Sequence, residues 1–316
     1  MRIARETLDD VLLELYPCLL GLTEFVTATR GEFTELVGVL IEITRPRARL
    51  SRSETRGKLF SSLGELLWYL SRDNKLEFIE QYIGEYKKES KDGKTVYGGY
   101  GPRLFSQRGV DQVSNVIQAL KNGPSTRRAV IQLFDAEDIT VRHNEVPCTT
   151  TLQFLIRNDR LDMISAMRSN DAYLGLPHDV FCFTMLQEII ASSVGVDLGI
   201  YRHFVGSLHL YREHHRQAQD FVNERFQDQV EMPAMPSGDP WRSIASVLEA
   251  EAQIRAGEVI DAAATNLDPY WCDLIRILQI HFAKRDKAVI DALAELMTFR
   301  RFKPYILSRT RTAGSQ

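Results

Sequence analysis

Long apolar segments are missing from this 316-residue sequence. No segment approaches the roughly 18 consecutive apolar residues that a membrane-spanning helix needs. The N-terminal segment MRIARETLDDVLLELY has acidic residues where a secretory signal peptide has a continuous apolar stretch. We therefore expect a cytoplasmic protein with no membrane partner.

Cysteine is scarce and widely spaced. The chain has four cysteines, Cys18, Cys148, Cys182 and Cys272, and no Cys-x-x-Cys pair. This spacing supports neither a disulfide framework nor a zinc site, so no metal is expected. Thr151 stands where a zinc deaminase has the second cysteine of its Pro-Cys-x-x-Cys motif, which argues against that class of enzyme.

A large excess of one charge is also absent. The formal net charge is -3, and basic residues are interspersed with acidic ones. This pattern argues against a surface for long nucleic acids, and we expect the arginines to bind small anions instead. The length and the 44% hydrophobic content suffice for one large domain, or for one domain with a small addition.

The spacing of apolar residues predicts both helices and strands. A helix is expected through about Pro17, with further helices at 57–71, 75–88, 110–124 and 176–195. Strands are expected at 32–44, 126–134, 150–158, 160–168 and 201–211. The glycine-rich segment 88–103 is expected to be a loop with no helix close behind it.

The composition changes after the segment EMPAMPSGDP, and the residues from about 240 onward are mostly helix-forming. Segments rich in proline and glycine often separate domains. We therefore predict a catalytic domain at 1–235 and a helical C-terminal extension at 236–316.

Cys148 follows a proline and opens a strand-like segment. A single cysteine is usually a small buried apolar residue, and less often the nucleophile of an enzyme. In a cysteine hydrolase the thiol would pair with a histidine, for which His209 is the nearest candidate on a predicted strand. The residues alone leave these alternatives open.

Three arginines and one aspartate are candidates for binding or proton transfer. Arg127 and Arg128 should point to opposite faces of a strand, or form a solvated pair at a loop end. Arg168 ends an apolar strand beside Ser169, a combination suited to phosphate. Asp179 is expected in the first turn of a helix, where the helix dipole favours a carboxylate by roughly 0.3 to 1 kcal/mol.

Glu65 is almost the only ionisable residue in the apolar window LFSSLGELLWYL. If its side chain faces inward, loss of hydration should raise its pKa and fit it for proton transfer. If it faces outward, it is an ordinary solvated residue. His209 and Tyr211 share one face of a predicted strand, which has little meaning by itself.

Together these motifs resemble the thymidylate synthase superfamily, and most closely its cytidylate hydroxymethylase branch. The match covers roughly 25–215, in family order and without gaps from Cys148 to Asp179. It runs through ELLWYL (65–70), VYG (96–98), STRRAV (125–130), PC (147–148), RSND (168–171), LGLPHD (174–179) and HLY (209–211). The resemblance implies an α+β, two-layer fold with a large mixed sheet packed by helices.

The resemblance also assigns roles to residues of this chain. Cys148 would be the nucleophile that adds to C6 of a pyrimidine nucleoside monophosphate, and Glu65 would move protons through ordered water. A cysteine adduct pushes negative charge into the ring, which nearby donors must stabilise. Phosphate would be bound by Arg30, Arg168 and Ser169, and by Arg127 and Arg128 of the other subunit of a homodimer; the ribose hydroxyl would be bound by His209 and Tyr211.

The implied cofactor is 5,10-methylenetetrahydrofolate, whose one-carbon unit is transferred to C5. By resemblance, Asp171 would contact the pterin, and Leu174, Gly175 and Tyr86 would complete the folate site. The reaction could end as a methyl group, after hydride transfer from the folate, or as a hydroxymethyl group, after attack by water.

One departure from the family bears on the base. Synthases that act on dUMP have asparagine at the position of Asp179, because a carboxamide can both accept from N3–H and donate to O4 of uracil. An ionised carboxylate only accepts, which suits the 4-amino group of cytosine and a protonated N3. We therefore expect a cytidylate, dCMP or CMP, to be the substrate.

Further departures bear on the product. Thr149 replaces the family histidine after the nucleophile, Met167 replaces a glutamine, and Ile83 and Tyr86 replace two tryptophans that flank folate. The short family C-terminus is replaced by a helical extension that ends RTRTAGSQ. Looser packing favours water, so 5-hydroxymethylation is the leading prediction. Methylation of dUMP or dCMP, and a family member that binds nucleotide without catalysis, are the alternatives.

Overall fold

The computed structural model describes residues 1–28, 30–51, 58–225, 229–284 and 286–310. Its strands are β1 (Arg2–Arg5), β2 (Val26–Ala28), β3 (Gly31–Ile43), β4 (Val130–Gln132), β5 (Thr149–Arg157), β6 (Arg160–Asp171) and β7 (Asp197–Tyr211). Its helices are α1 (Leu8–Leu20), α2 (Leu59–Leu70), α3 (Leu76–Ile79), α4 (Tyr86–Glu89), α5 (Tyr100–Phe105), α6 (Gln112–Asn122), α7 (Gly175–Val194), α8 (His215–Glu224), α9 (Trp241–Arg255), α10 (Pro269–Phe282), α11 (Lys287–Glu295) and α12 (Lys303–Thr310).

The strands form one mixed sheet in the order β1-β3-β7-β6-β5-β4, and β2 pairs with the first residues of β3. β1 runs parallel to β3, and β6 runs parallel to β7, whereas the other pairs are antiparallel. Since β6 and β7 run in the same direction, a crossover must connect them, and the long helix α7 provides it. This is the α+β fold that the sequence predicts.

The helices cover one face of the sheet and share a continuous apolar core with it. In β6, the buried side chains of Leu161, Met163 and Met167 alternate with more exposed ones, as expected where one face of a strand packs against helices. α7 is apolar nearly all round and lies between the sheet and α2. It ends at Gly195, whose φ of 85° is the left-handed conformation that favours glycine.

Most of the predicted elements are confirmed. The strands at 32–44, 150–158, 160–168 and 201–211 correspond to β3, β5, β6 and β7, and Asn158 and Asp159 form the left-handed tip between β5 and β6. The helices at 57–71, 110–124 and 176–195 correspond to α2, α6 and α7.

Four local predictions are wrong. The segment 75–88 is not one helix but two single-turn helices, α3 and α4, separated by turns. The strand predicted at 126–134 is reduced to the three residues of β4. A helix, α5, begins within the glycine-rich segment 88–103, and β1 precedes the N-terminal helix.

The C-terminal helices pack directly on the sheet-bearing part of the chain. The indole N–H of Trp241 in α9 donates to Ser193 at the end of α7 over 3.0 Å. The hydroxyl of Tyr82 donates to Glu251 of α9 over 2.8 Å. The boundary near residue 235 stays a prediction, and residues 311–316 of the tail lie outside the described part. No helix within the described residues is both long enough and apolar enough to span a bilayer.

Candidate active site

A cavity of about 670 Å³ opens between the ends of β6 and β7, the start of α7, and the helices α2 and α4. This volume lies in the usual range for small-molecule sites. Most of the sequence-predicted site residues line it: Arg30, Glu65, Tyr86, Cys148, Arg168, Ser169, Asp171, Leu174, Gly175, Asp179, His209 and Tyr211. Within the described residues, no group of three or more His, Cys, Asp and Glu side chains is placed to hold a metal ion.

Cys148 lies just before β5 and faces the cavity. Its neighbour Arg168 donates to the backbone oxygens of Val146 and Pro147, each over 3.0 Å, and approaches the thiol sulfur at 3.6 Å. The guanidinium therefore braces the segment that carries the thiol. Burial raises the pKa of Cys148 to about 11, although the charge of Arg168 opposes the shift. The thiol is therefore mostly protonated at neutral pH in the unliganded protein.

Glu65 faces inward from α2 and is 5% exposed. One of its carboxyl oxygens accepts from the hydroxyl of Tyr86 over 2.6 Å and from the hydroxyl of Tyr69 over 2.9 Å. Burial raises the pKa of Glu65, while these two hydrogen bonds oppose the shift. A buried carboxyl with a raised pKa is suited to proton transfer.

Asp179 projects into the cavity from α7 and accepts a hydrogen bond from the side-chain amide of Asn170 over 2.6 Å. Burial, and then the charge of Glu65, raise the pKa of Asp179 well above its usual range. This shift favours the protonated form of the carboxyl while no base is bound. A neutral carboxyl group has one donor and one free acceptor oxygen.

Two parts of the expectation for Asp179 need correction. α7 begins at Gly175, so Asp179 is its fifth residue and lies beyond the first turn, where the helix dipole acts most strongly. Its raised pKa also favours a neutral carboxyl over the acceptor-only carboxylate in the unliganded protein. Burial beside Glu65 accounts for the second difference, and the sequence does not show this proximity.

The end of β7 places His209 and Tyr211 at the same cavity wall, with their ring centroids 5.1 Å apart. Burial lowers the pKa of His209, which is therefore neutral at pH 7. Its Nδ1 atom is buried and has no hydrogen-bond partner among the described residues, and the same holds for Oδ1 of Asn170. Since buried polar atoms are normally paired, both atoms are suited to contact a bound ligand.

The predicted phosphate residues are divided between the cavity and the surface. Ser169 pairs with Ser207 across β6 and β7 and lines the cavity. Arg30 reaches the cavity mouth, where it forms an ion pair with Glu89. Arg127 and Arg128 are exposed in the loop before β4 and do not line the cavity of their own chain.

The predicted folate residues Tyr86, Asp171, Leu174 and Gly175 also line the cavity. One oxygen of Asp171 accepts from the backbone N–H groups of Tyr173 and Leu174, over 2.7 and 2.9 Å, which shapes the turn into α7. Leu174 remains 39% exposed at the cavity. Tyr86 lines the same wall, but its hydroxyl is bonded to Glu65, a contact that its position in the sequence did not indicate.

Glu145 is a cavity residue that the sequence analysis missed. One of its carboxyl oxygens accepts from the backbone N–H of Gly98 over 3.0 Å. A Cβ atom at Gly98 would lie 2.1 Å from that oxygen, so a larger residue there would displace the Glu145 carboxyl. Burial and the charge of Glu89 raise the pKa of Glu145 to about 7. Its position three residues before the cysteine was the one available signal.

We expect Glu145→Gln to make the Cys148 thiol more reactive. The Glu145 carboxylate raises the pKa of Cys148, so its removal should lower that pKa and increase the thiolate fraction at pH 8. Alkylation of Cys148 by iodoacetamide, followed by peptide mass spectrometry, should be about 2- to 5-fold faster in the variant. An unchanged or slower rate would contradict this electrostatic coupling.

Glu65→Gln should stabilise the fold at alkaline pH. The pKa of Glu65 is raised in the folded protein above its ordinary value of 4.5, so the folded state binds a proton that the unfolded state has released. Stability attributable to this group therefore falls as pH rises from 4.5 toward the raised pKa. Urea unfolding at pH 5 and pH 8 should show a smaller loss of stability in the variant; an equal loss would contradict the raised pKa.

Thr149 is one of the family departures, and it is fully buried. Its hydroxyl accepts from the hydroxyl of Tyr100 over 2.9 Å, and its backbone N–H donates to the same oxygen over 3.0 Å. Thr149 therefore packs behind Cys148 and contributes no side chain to the cavity lining. Ile83, Tyr86 and Met167, the other departures, do line the cavity.

Comparison with known proteins supports the resemblance. The family model of thymidylate synthase matches residues 54–244, which is more than half of the chain. A deoxyuridylate hydroxymethyltransferase of Pseudomonas phage M6 is 36% identical over 173 residues, or 54% of this chain and 49% of the relative. Thymidylate synthase of Francisella tularensis subsp. holarctica, in strains FTNF002-00 / FTA and OSU18, is 30% identical over 183 residues, or 52% of this chain and 64% of the relative.

Proposed function

Because the chain belongs to the thymidylate synthase family, we propose that it transfers a one-carbon unit to C5 of a pyrimidine nucleoside monophosphate. The matched segments span about half to two thirds of the length of the curated relatives. The observation that carries the proposal is the single cavity that holds the thiol of Cys148, the guanidinium of Arg168 and the carboxyls of Glu65 and Asp179.

In this proposal, Cys148 adds to C6 of the base as a thiolate. Arg168 stabilises the thiolate through its 3.6 Å contact with sulfur, and the phosphate of the nucleotide is bound by Arg168, Ser169 and Arg30. For Arg30 to reach the phosphate, it must give up its ion pair with Glu89. His209 and Tyr211 bind the ribose hydroxyl, for which Nδ1 of His209 is free of partners within the described residues.

Asp179 supplies the proton that the ring needs. Its neutral O–H donates to N3 of cytosine, and its other oxygen accepts from the 4-amino group. As sulfur bonds to C6, negative charge grows at N3, and the Asp179 proton moves to N3. Glu65 then moves the proton of C5 through water, as its raised pKa permits.

When bound, 5,10-methylenetetrahydrofolate supplies the one-carbon unit and accepts the departing electron pair at nitrogen. The cavity wall beside Cys148 fits such a group, because Leu174 and Ile83 offer apolar surface and Asp171 a hydrogen-bond acceptor. Gly175 and Tyr86 complete this wall. We propose that water completes the reaction and that the product is a 5-hydroxymethyl nucleotide, in line with the name of the phage relative.

Cytidylate is our first choice of substrate, because Asp179 can protonate N3 of cytosine, which a carboxamide cannot do. Deoxyuridylate is the second candidate. It is favoured by the name of the phage relative and by the raised pKa of Asp179, since a neutral carboxyl group can also donate to O4 and accept from N3–H. We also propose a homodimer in which the exposed Arg127 and Arg128 reach the phosphate in the partner's cavity.

The experiment is tritium release from 5-tritiated CMP, dCMP and dUMP in the presence of 5,10-methylenetetrahydrofolate, with mass analysis of the products. We expect release from a cytosine nucleotide and a product that has gained a hydroxymethyl group. A product that has gained a methyl group would show that the enzyme methylates the base and does not hydroxymethylate it. No release from any of the three would favour a protein that binds nucleotide without catalysis.

A further inference from the structure

Asn170 is a buried residue of the cavity to which the proposed reaction assigns no role. It is 4% exposed and lies at the end of β6, opposite Leu208 of β7. Its amide N–H2 donates to Oδ2 of Asp179 over 2.6 Å, and its own Oδ1 has no partner among the described residues. A polar side chain at this depth needs a reason to be there.

The start of α7 leaves room for this pair of side chains. A Cβ atom at Gly175 would lie 3.1 Å from the amide nitrogen of Asn170 and 3.6 Å from Oδ2 of Asp179. The first contact is closer than side-chain carbons normally approach, so glycine at this position lets Asn170 reach Asp179.

The hydrogen bond distinguishes the two carboxyl oxygens of Asp179. Because Asn170 donates to Oδ2, and a carbonyl oxygen is a better acceptor than the oxygen of an acid O–H, an acid proton is favoured on Oδ1. A neutral carboxyl group without this partner could carry its proton on either oxygen. Asn170 therefore biases Asp179 toward a donor at Oδ1 and an acceptor at Oδ2.

Cytosine and uracil present opposite orders along the same edge. Cytosine has an acceptor at N3 and a donor at the 4-amino group, whereas uracil has a donor at N3 and an acceptor at O4. An Asp179 with its proton on Oδ1 donates from Oδ1 and accepts at Oδ2. This order matches cytosine, when Oδ1 faces N3, and opposes uracil. To accept the opposite base, the proton must move to Oδ2, whose O–H then donates to O4 while the same oxygen becomes a weaker acceptor for Asn170.

We propose that Asn170 is a positioning residue that sets the base specificity of the site, by biasing which oxygen of Asp179 donates to the nucleotide. This inference rests on the proposed function, in which Asp179 faces the base. The favoured ligand is a cytosine nucleoside monophosphate, and the disfavoured one is its uracil counterpart.

The test compares dCMP and dUMP in the wild-type protein and in Asn170→Ala and Asn170→Leu. The alanine variant removes the amide, and the leucine variant replaces it with an apolar side chain of similar size. Two ratios of dCMP to dUMP are measured. One is the ratio of dissociation constants, from titration calorimetry, and the other is the ratio of kcat/KM values, from tritium release. We expect both variants to lower the preference for cytosine by about 10-fold or more, the equivalent of one lost hydrogen bond to a charged or strongly polar group.

If Asn170 has a purely structural role, its substitution should weaken the binding and turnover of both nucleotides equally. An unchanged ratio of dCMP to dUMP would therefore overturn the inference. Gly175→Ala is a third variant, which serves if the two substitutions at Asn170 prevent folding. It keeps both side chains and only displaces the amide of Asn170, so we expect a smaller fall in the preference for dCMP over dUMP. An unchanged preference in Gly175→Ala would count against the inference. If the wild-type protein binds dCMP selectively but releases no tritium, the proposed function fails while the role of Asn170 stands.

Discussion

Cys148→Ser should abolish tritium release from C5 of the nucleotide, by at least about 10³-fold in kcat. A serine hydroxyl at this position is far less nucleophilic than a thiolate, and no other thiol among the cavity-lining residues can replace it. Nucleotide binding should change little, because the phosphate and the ribose contact other side chains. Tritium release and calorimetric titration with dCMP measure the two effects separately.

Cys18→Ser is the matched control. Cys18 is half-buried in α1, outside the cavity, and its thiol donates to the backbone oxygen of Glu14 over 3.3 Å, a bond that serine can also make. Its activity should equal that of the wild-type protein. If Cys148→Ser retained more than a small fraction of the activity, a covalent route through Cys148 would be excluded.

Asp179→Asn should move the preference from cytosine toward uracil by about 10²- to 10³-fold in the ratio of kcat/KM values, as expected when buried polar groups lose or gain their partners. An amide cannot transfer a proton to N3, so turnover of cytosine nucleotides should fall. An amide N–H2 also carries two protons, so once the Asn170 amide turns over it can donate to O4 of uracil and to Oδ1 of Asn170 at once. The kcat/KM for uracil nucleotides should therefore rise.

Asp162→Asn tests whether the effect is specific. Asp162 lies on β6 outside the cavity, where it accepts from Arg202 over 2.9 Å and from the backbone N–H of Ile200 over 2.8 Å. This variant should keep the wild-type base preference. An unchanged preference in Asp179→Asn would remove the argument for cytidylate.

The parts of the site that are close in sequence could be predicted. Arg168, Asp171 and Asp179 lie on one strand–turn–helix segment, and the end of that helix is marked by Gly195. The apolar surroundings of Glu65 left its orientation open, and the structure shows that it faces inward. Motif spacing is informative here because β6 and α7 are regular and their connection is short.

Contacts between distant segments could not be predicted. The pKa of Glu145 is raised by burial and by the charge of Glu89 in α4, which is far from it in sequence. The pKa of Asp179 is raised by burial and then by the charge of Glu65, which the packing of α2 on α7 brings close. The segment 75–88 has helical periodicity, yet it breaks into two turns where Tyr82 packs onto Gly64 and α9.

The most direct test of the account is the mass of the protein after incubation with a 5-fluoro deoxycytidylate and 5,10-methylenetetrahydrofolate. Fluorine cannot leave C5 as a proton does, so a covalent complex should accumulate. We predict a protein that has gained the masses of nucleotide and cofactor, with the adduct on the peptide that contains Cys148. Unmodified protein under native conditions, or an adduct on another cysteine, would contradict the account.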